Sequence, residues 1–289
     1  MSISVSLNST LFAISILKSN MDIINFLQYE FIQRALLAGS FIGVVCAILG
    51  VFLVLRKMSL IGDGLSHVSF GAIALGLFFG IYPFYVAVPV VVLGSLLILK
   101  ISERAKVYGD AAIGIVSSIG IAGGVILASV SRGFNVDLLS YLFGNILSVN
   151  KMEVILSVAL SVVVIVVILF FYWDLFAATL DEEYAKTIGV KVKSINALIA
   201  LLTALAVVLS IKMVGVMLVS SLLILPAVTA LQIAKKFSHA LILSCCVALF
   251  SVLIGITTSF FLDLPAGATI IMVNAAVFAV TLVYRKIAK

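Results

Sequence analysis

The chain has 289 residues, 64% of them hydrophobic and only 10% charged, with a formal charge of +6. That composition excludes an ordinary soluble domain, and the apolar residues come in runs of about twenty, the length of a helix that crosses a bilayer. The basic residues fall in short clusters between those runs, so the positive balance reports membrane topology and not a nucleic-acid partner.

The expected fold is all-α: a polytopic transmembrane helical bundle of eight or nine spans. Residues 1–28 have no basic leader, and their apolar patch Leu11–Leu17 is too short to span. They read as an N-terminal extension, a polar tail or an interfacial helix, and not as a signal peptide. Residues 29–289 then form one transmembrane unit. Its candidate spans are roughly 30–55, 60–80, 84–101, 110–130, 152–172, 194–212, 215–234, 240–262 and 267–285. Only Lys212-Met-Val-Gly215 separates the sixth from the seventh, which leaves a tight hairpin or one bent helix open there.

Charge sets the orientation. One side collects Arg56, Lys57, Lys100, Arg104, Lys106, Lys186, Lys191, Lys193, Lys235, Lys236, Arg285, Lys286 and Lys289, most of the 18 basic residues. The other keeps Lys18, Arg34, Arg132, Lys151 and Lys212. The richer side is the cytoplasmic one, so the N-terminus is expected outside and the C-terminus inside. The outer connection 131–150 is amphipathic and too polar to span, and is expected in the membrane interface. The inner connection 174–193 is the longest charged stretch. Acidic residues lead in it, Lys186 follows, and Gly189 can end a short helix.

Packing signals lie inside the spans. Gly120 and Gly124 make a small-xxx-small pair with Gly114, Ser117 and Gly123 nearby, a pattern that lets helix backbones approach. Span seven holds Ser220, Ser221 and Pro226; the proline allows a kink if neighbours satisfy the freed carbonyl. Cys46, Cys245 and Cys246 sit in apolar runs without zinc-type spacing and read as packing residues. No strong internal repeat is evident.

The stretch that invites chemistry is Met58-Ser-Leu-Ile-Gly-Asp-Gly-Leu-Ser-His67. Asp63 and His67 are one helical turn apart, so both project from one face. An acid and an imidazole in hydrocarbon are costly unless paired, hydrated or bound, and together they are a common ligand pair for divalent transition metals. The plain alternative is a cap or salt bridge at Asp63 and an interhelical hydrogen bond at His67. If two copies met across a two-fold axis, the pair would become two carboxylates and two imidazoles, a set that suits Zn²⁺ or Mn²⁺ without deciding between them. The other polar residues read more simply. His239 is a solvated cytoplasmic residue, Asp263 a helix-end residue, and Asp137 and Glu153 outer acids able to attract cations or a docking partner. Asn274 is interhelical glue. The segment Asp181–Gly189 is either a solvated connector or a docking helix. The sequence holds no Gly-x-x-x-x-Gly-Lys-Ser/Thr, no His-Glu-x-x-His and no Gly-x-Ser-x-Gly, so nothing in it supports an enzyme or an ATP site on this chain.

Over roughly residues 30–286 these features resemble the permease subunits of ATP-binding-cassette importers for zinc, manganese and iron. Three ordered blocks carry the resemblance: residues 58–67; Asp181-Glu-Glu-Tyr-Ala-Lys-Thr-Ile-Gly-Val190; and Val214 to Ala227 with Pro265-Ala-Gly-Ala-Thr-Ile-Ile271. The resemblance implies a homodimer in a prokaryotic cytoplasmic membrane, two cytoplasmic ATPases and an extracytoplasmic metal-binding protein, with no permanently bound cofactor. It implies that Asp63 and His67 contact the transported Mn or Zn. It also implies that Asp181, Glu182, Glu183, Ala185 and Gly189 belong to the segment that couples to the ATPase. A related branch moves metal chelates. Ser220, Ser221 and Pro226 are candidate gating residues. The competing readings are a secondary transporter driven by protons or sodium, which calls for more buried ionisable groups and an internal repeat, and a membrane scaffold.

Overall fold

The computed structural model describes residues 28–105, 109–130, 141, 142, 144 and 150–287, and all regular structure in them is helical. The N-terminal extension before residue 28 and most of the segment 131–150, Asp137 included, lie outside the described residues. The helices are α1 (Glu30–Leu55), α2 (Ile61–Phe78), α3 (Pro83–Ala105), α4 (Gly109–Val130), α5 (Lys151–Phe170), α6 (Tyr172–Leu180), α7 (Glu182–Thr187), α8 (Val192–Val214), α9 (Val219–Ile233), α10 (Phe237–Leu262) and α11 (Ala266–Ile287). Eight of these are long and apolar enough to cross a membrane; α9, with 15 residues, is shorter. At 1.5 Å per residue α9 covers about 22 Å of a hydrocarbon layer about 30 Å thick.

Apolar runs without local polar partners become helices here because a helix satisfies its own backbone in lipid. Which runs lie inside depends on packing. α1 has buried residues along most of its length, from Ile32 to Leu53, and packs against α5, α8, α9 and α10, so it is the central post of the bundle. α4 and α5 are as apolar but leave Ile119, Ile126, Leu169 and Phe170 exposed on the outside of the bundle. α2 and α4 lie closest. A Cβ on Gly71 would stand 2.4 Å from the Gly120 carbonyl oxygen, and one on Gly120 2.7 Å from the Val68 Cα, so only glycine permits this approach. Gly124 packs on Phe70 of the same helix pair, whereas Gly114 and Gly123 face open space.

Three junctions matter for the site. α1 ends in a Schellman turn: the Met58 N–H donates to the Leu53 carbonyl at 2.9 Å and the Lys57 N–H to that of Val54 at 3.1 Å. Lys57 occupies the left-handed position of that turn, at φ 57°. The inner connection 174–193 contains two helices, because the chain breaks at Phe171 and starts α6 at once, then turns at Asp181 into α7. The sixth and seventh spans are separate helices. Gly215, at φ 87°, ends α8, and the N–H groups of Val216 and Met217 donate to the carbonyls of Tyr141 and Leu142 at 3.0 and 3.3 Å. α8 and α9 scarcely touch, and each packs on α1.

Helix ends sort into two layers. Arg56 meets Glu182, Lys193 approaches Glu103 at 3.6 Å, and Arg285 bonds Gln232 at one end. Lys151 approaches Glu30 at 3.6 Å and Lys212 meets Glu153 at the other. These are the Arg56 end and the Lys212 end below, and they follow the alternation expected from charge.

Candidate functional site

Asp63 falls in the first turn of α2 and His67 one turn further on. Their nearest atoms, Asp63 Oδ2 and His67 Nε2, are 3.6 Å apart, with side chains 47% and 23% exposed. That separation is too long for a hydrogen bond, so the two groups face each other across an unbridged gap. Their neighbours Gly62, Gly64, Leu65, Ser66 and Val68 are all buried, so the pair occupies an open strip on an otherwise packed helix. Small residues put it there. Gly64 accepts the Ile113 side chain of α4, and Gly62 accepts Leu223 of α9 while Ser220 Cα lies close by. The start of α9, which carries the candidate gating residue Ser220, therefore packs on Gly62, the residue before the acid. Pro226, in the middle of α9, cannot donate to the carbonyl one turn back, so this helix lacks one backbone bond where it could bend. Among the described residues no three His, Cys, Asp or Glu side chains cluster. One chain thus presents two ligands; completing a shell takes water, a carrier or a second copy.

The segment 181–189 folds as the pattern suggests. Asp181 caps α7, its carboxylate accepting from the N–H groups of Glu183 and Tyr184 at 2.9 and 3.1 Å. Gly189, at φ 89°, closes it in a second Schellman turn, with the Val190 N–H on the Ala185 carbonyl at 3.0 Å. Ala185 is fully buried and seats the helix on the bundle, while Tyr184 and Ile188 stay largely exposed. Glu183 and Lys186 pair at 2.6 Å along the exposed side, and that bond holds the Lys186 ammonium above its ordinary pKa.

A second polar cluster, at the Lys212 end, was not anticipated. Glu153 of α5 accepts from Lys212 of α8, from the Tyr82 hydroxyl and, at 2.9 Å, from the Asn150 N–H. Its side chain is only 16% exposed. Burial, then the Glu153 carboxylate, push the Tyr82 phenol well above its ordinary pKa. Glu153 is thus engaged by three donors and is not a free outer acid. Lys212, read from the sequence only as a minority charge, is its partner.

The remaining residues fall where expected, with one correction. His239 is exposed beside Lys235 and Lys236. Asp263, at φ 52°, is the exposed C-cap of α10. Asn274 is fully buried in α11, but neither of its side-chain polar atoms has a hydrogen-bond partner among the described residues, so it is not interhelical glue in this structure. Cys46 is buried and shares a 3.3 Å contact with the Ser210 hydroxyl, whereas Cys246 is exposed.

Comparison with known proteins bears on the chain as a whole. The model of the ABC 3 transport family matches residues 28–285. The manganese transport system membrane protein MntC of Halalkalibacterium halodurans is 33% identical over 253 residues, which is 88% of this chain and 87% of that protein. The high-affinity zinc uptake system membrane protein ZnuB of Haemophilus influenzae is 30% identical, covering 90% of this chain and 99% of that one. The solved structure of PsaBC from Streptococcus pneumoniae in complex with Fab superposes with a TM-score of 0.82 at 30% identity, over 90% of this chain and 94% of that one. On the extent of the family match and the identity to these relatives, the chain belongs to the ABC 3 transport family.

Proposed function

We propose that this chain is the membrane-spanning permease subunit of an ATP-driven importer for divalent transition-metal ions, manganese or zinc, with iron a further candidate. Two copies stand in the cytoplasmic membrane with the Arg56 end inside, each seated through α7 on a cytoplasmic ATPase. An extracytoplasmic binding protein delivers the ion at the Lys212 end. The observation that carries the reading is the open Asp63/His67 pair: two metal-ligating groups, unbonded to each other, on the only open strip of a buried helix. Two such pairs across a two-fold axis offer two carboxylates and two imidazoles, enough for one passing ion. The contact has to be weak for the ion to leave. ATP binding and hydrolysis on the separate ATPase chains bias the bundle between outward-open and inward-open states, each of which must contact the ion differently. The chain itself has no phosphate-binding loop and works as the transport subunit, not as an enzyme.

Reconstitution into vesicles with the ATPase and binding protein tests this. Mn²⁺ or Zn²⁺ uptake is expected only with ATP, and is expected to collapse in Asp63→Ala and His67→Ala while insertion is kept. Uptake driven by a proton or sodium gradient in the lone chain, or wild-type rates in both variants, would remove the reading.

A further inference from the structure

Arg56 holds a charge where a helix end would normally release it to water. It is the C-cap of α1, yet its side chain is 3% exposed. One nitrogen, Nη2, donates to Glu182 Oε1 at 2.7 Å, at the first position of α7, and also to Asn196 Oδ1 near the start of α8. Nη1 is buried without a partner. A lysine or arginine at a membrane surface gains most by extending into solvent. Here the guanidinium is instead drawn under α7 and leaves one of its donors unused. Merely holding the bundle together does not call for such a group, because a buried ion pair is often no better for stability than packed apolar residues.

Its position in the chain suggests what it does. Arg56 opens the Schellman turn that leads into α2, and Ile61 N–H already bonds the Met58 carbonyl at 3.1 Å. The turn between α1 and α2 is therefore short and held by backbone bonds on both sides, with Asp63 in the first turn beyond it. α7, the end of α1 and the start of α8 are joined at this one side chain, and the backbone turn that follows it leads into the helix bearing Asp63 and His67. The inference rests on the proposed function: we propose that Arg56 is the positioning residue that carries movement of α7 to the metal-contacting pair. When the ATPases draw together, α7 shifts. The guanidinium shifts with Glu182, and the rigid turn passes that displacement to Asp63 and His67.

The test uses the complete transporter in vesicles. Three quantities are read: ATPase retained on purification, ATP hydrolysed, and Mn²⁺ taken up per ATP. Arg56→Gln is expected to keep the ATPase and its hydrolysis but to lower Mn²⁺ per ATP at least tenfold. Arg56→Lys is expected to recover part of the loss, since an ammonium can still reach Glu182. Glu182→Gln should lower the ratio too, and the double variant should be no worse than Arg56→Gln alone, because that change already removes the contact with Glu182. An unchanged Mn²⁺-to-ATP ratio in Glu182→Gln, or losses that add in the double variant, would overturn the proposal. So would a lower unfolding temperature with the ratio intact, the mark of a simple structural staple. Should Arg56→Gln fail to fold, Glu182→Gln, whose side chain is half exposed, decides the matter. Failure of the underlying reading looks different: the wild type would then show no ATP-driven uptake at all, and the positioning role would fall with it.

Discussion

Two groups of ionisable side chains sit in this bundle, and they are completed to different degrees. At the Lys212 end, Glu153 has an ammonium, a phenol and a backbone N–H around it, and is largely buried. On α2, Asp63 and His67 stand 3.6 Å apart, half open, without a hydrogen bond between them. A carboxylate already engaged by three donors, one of them an ammonium, is neutralised, and that ammonium would repel an arriving cation. A carboxylate and an imidazole held near each other but unjoined leave room for a third party. The first arrangement holds helices together; the second is suited to an ion that must arrive and depart. Stability and transport should therefore respond in opposite ways when the two are damaged.

The largest effect is expected at the open pair. His67→Ala or Asp63→Ala should lower ATP-driven Mn²⁺ or Zn²⁺ uptake by about a hundredfold, the order of one lost charge-assisted contact to the ion. Unfolding free energy should move by less than about 1 kcal/mol, because no hydrogen bond between the two groups is lost. A clear stability loss with transport intact would reverse the comparison. Lys212→Met should do the opposite. It leaves Glu153 partly buried without its cation, a change expected to cost about 2–3 kcal/mol, read as a lower unfolding midpoint in detergent. Lys212→Met combined with Glu153→Leu should recover part of that loss, since no stranded carboxylate remains. Uptake at permissive temperature should survive in both. A smaller effect is expected at the proposed coupling segment. Gly189→Ala forces a side chain into a left-handed turn at φ 89° and should loosen α7 by about 1 kcal/mol, with reduced ATPase retention as the measurement.

How much of this could be read from the sequence depended on distance along the chain. Asp63 and His67 are four residues apart, so helical periodicity alone placed them on one face. The Asp181 cap and the Gly189 stop are equally local, and so is the Gly120–Gly124 spacing, although the sequence did not show that α2 was its partner. The Glu153 and Arg56 clusters were out of reach for the opposite reason. They join residues 59, 71, 126 and 140 positions apart, and no periodicity brings those together. One trace was available: Asn150-x-x-Glu153 has the spacing of a capping box, which would have marked Glu153 as engaged with its own helix start. The short α9 was hidden because its apolar run continues past Gly215 and Val216 without a break in composition. Only the turn at Gly215, held against Tyr141 and Leu142, shows where the helix begins.

The last expected effect, no larger than that at Gly189, is also the finest test of the contrast. Tyr82→Phe removes one donor from Glu153 but leaves Lys212 and the Asn150 N–H in place. The carboxylate stays charged and compensated, so the loss should be that of a single net hydrogen bond, about 1 kcal/mol, and not that of a stranded ion. The phenol points into the same cluster from the turn before α3, so its removal should also leave metal uptake unchanged. Both are readable from one preparation, by thermal unfolding in detergent and ATP-driven Mn²⁺ uptake in vesicles. If Tyr82→Phe instead cut uptake severalfold with the unfolding midpoint unmoved, the Lys212-end cluster would be acting on the ion's route, and the division between a holding cluster and a passing site would have to be given up.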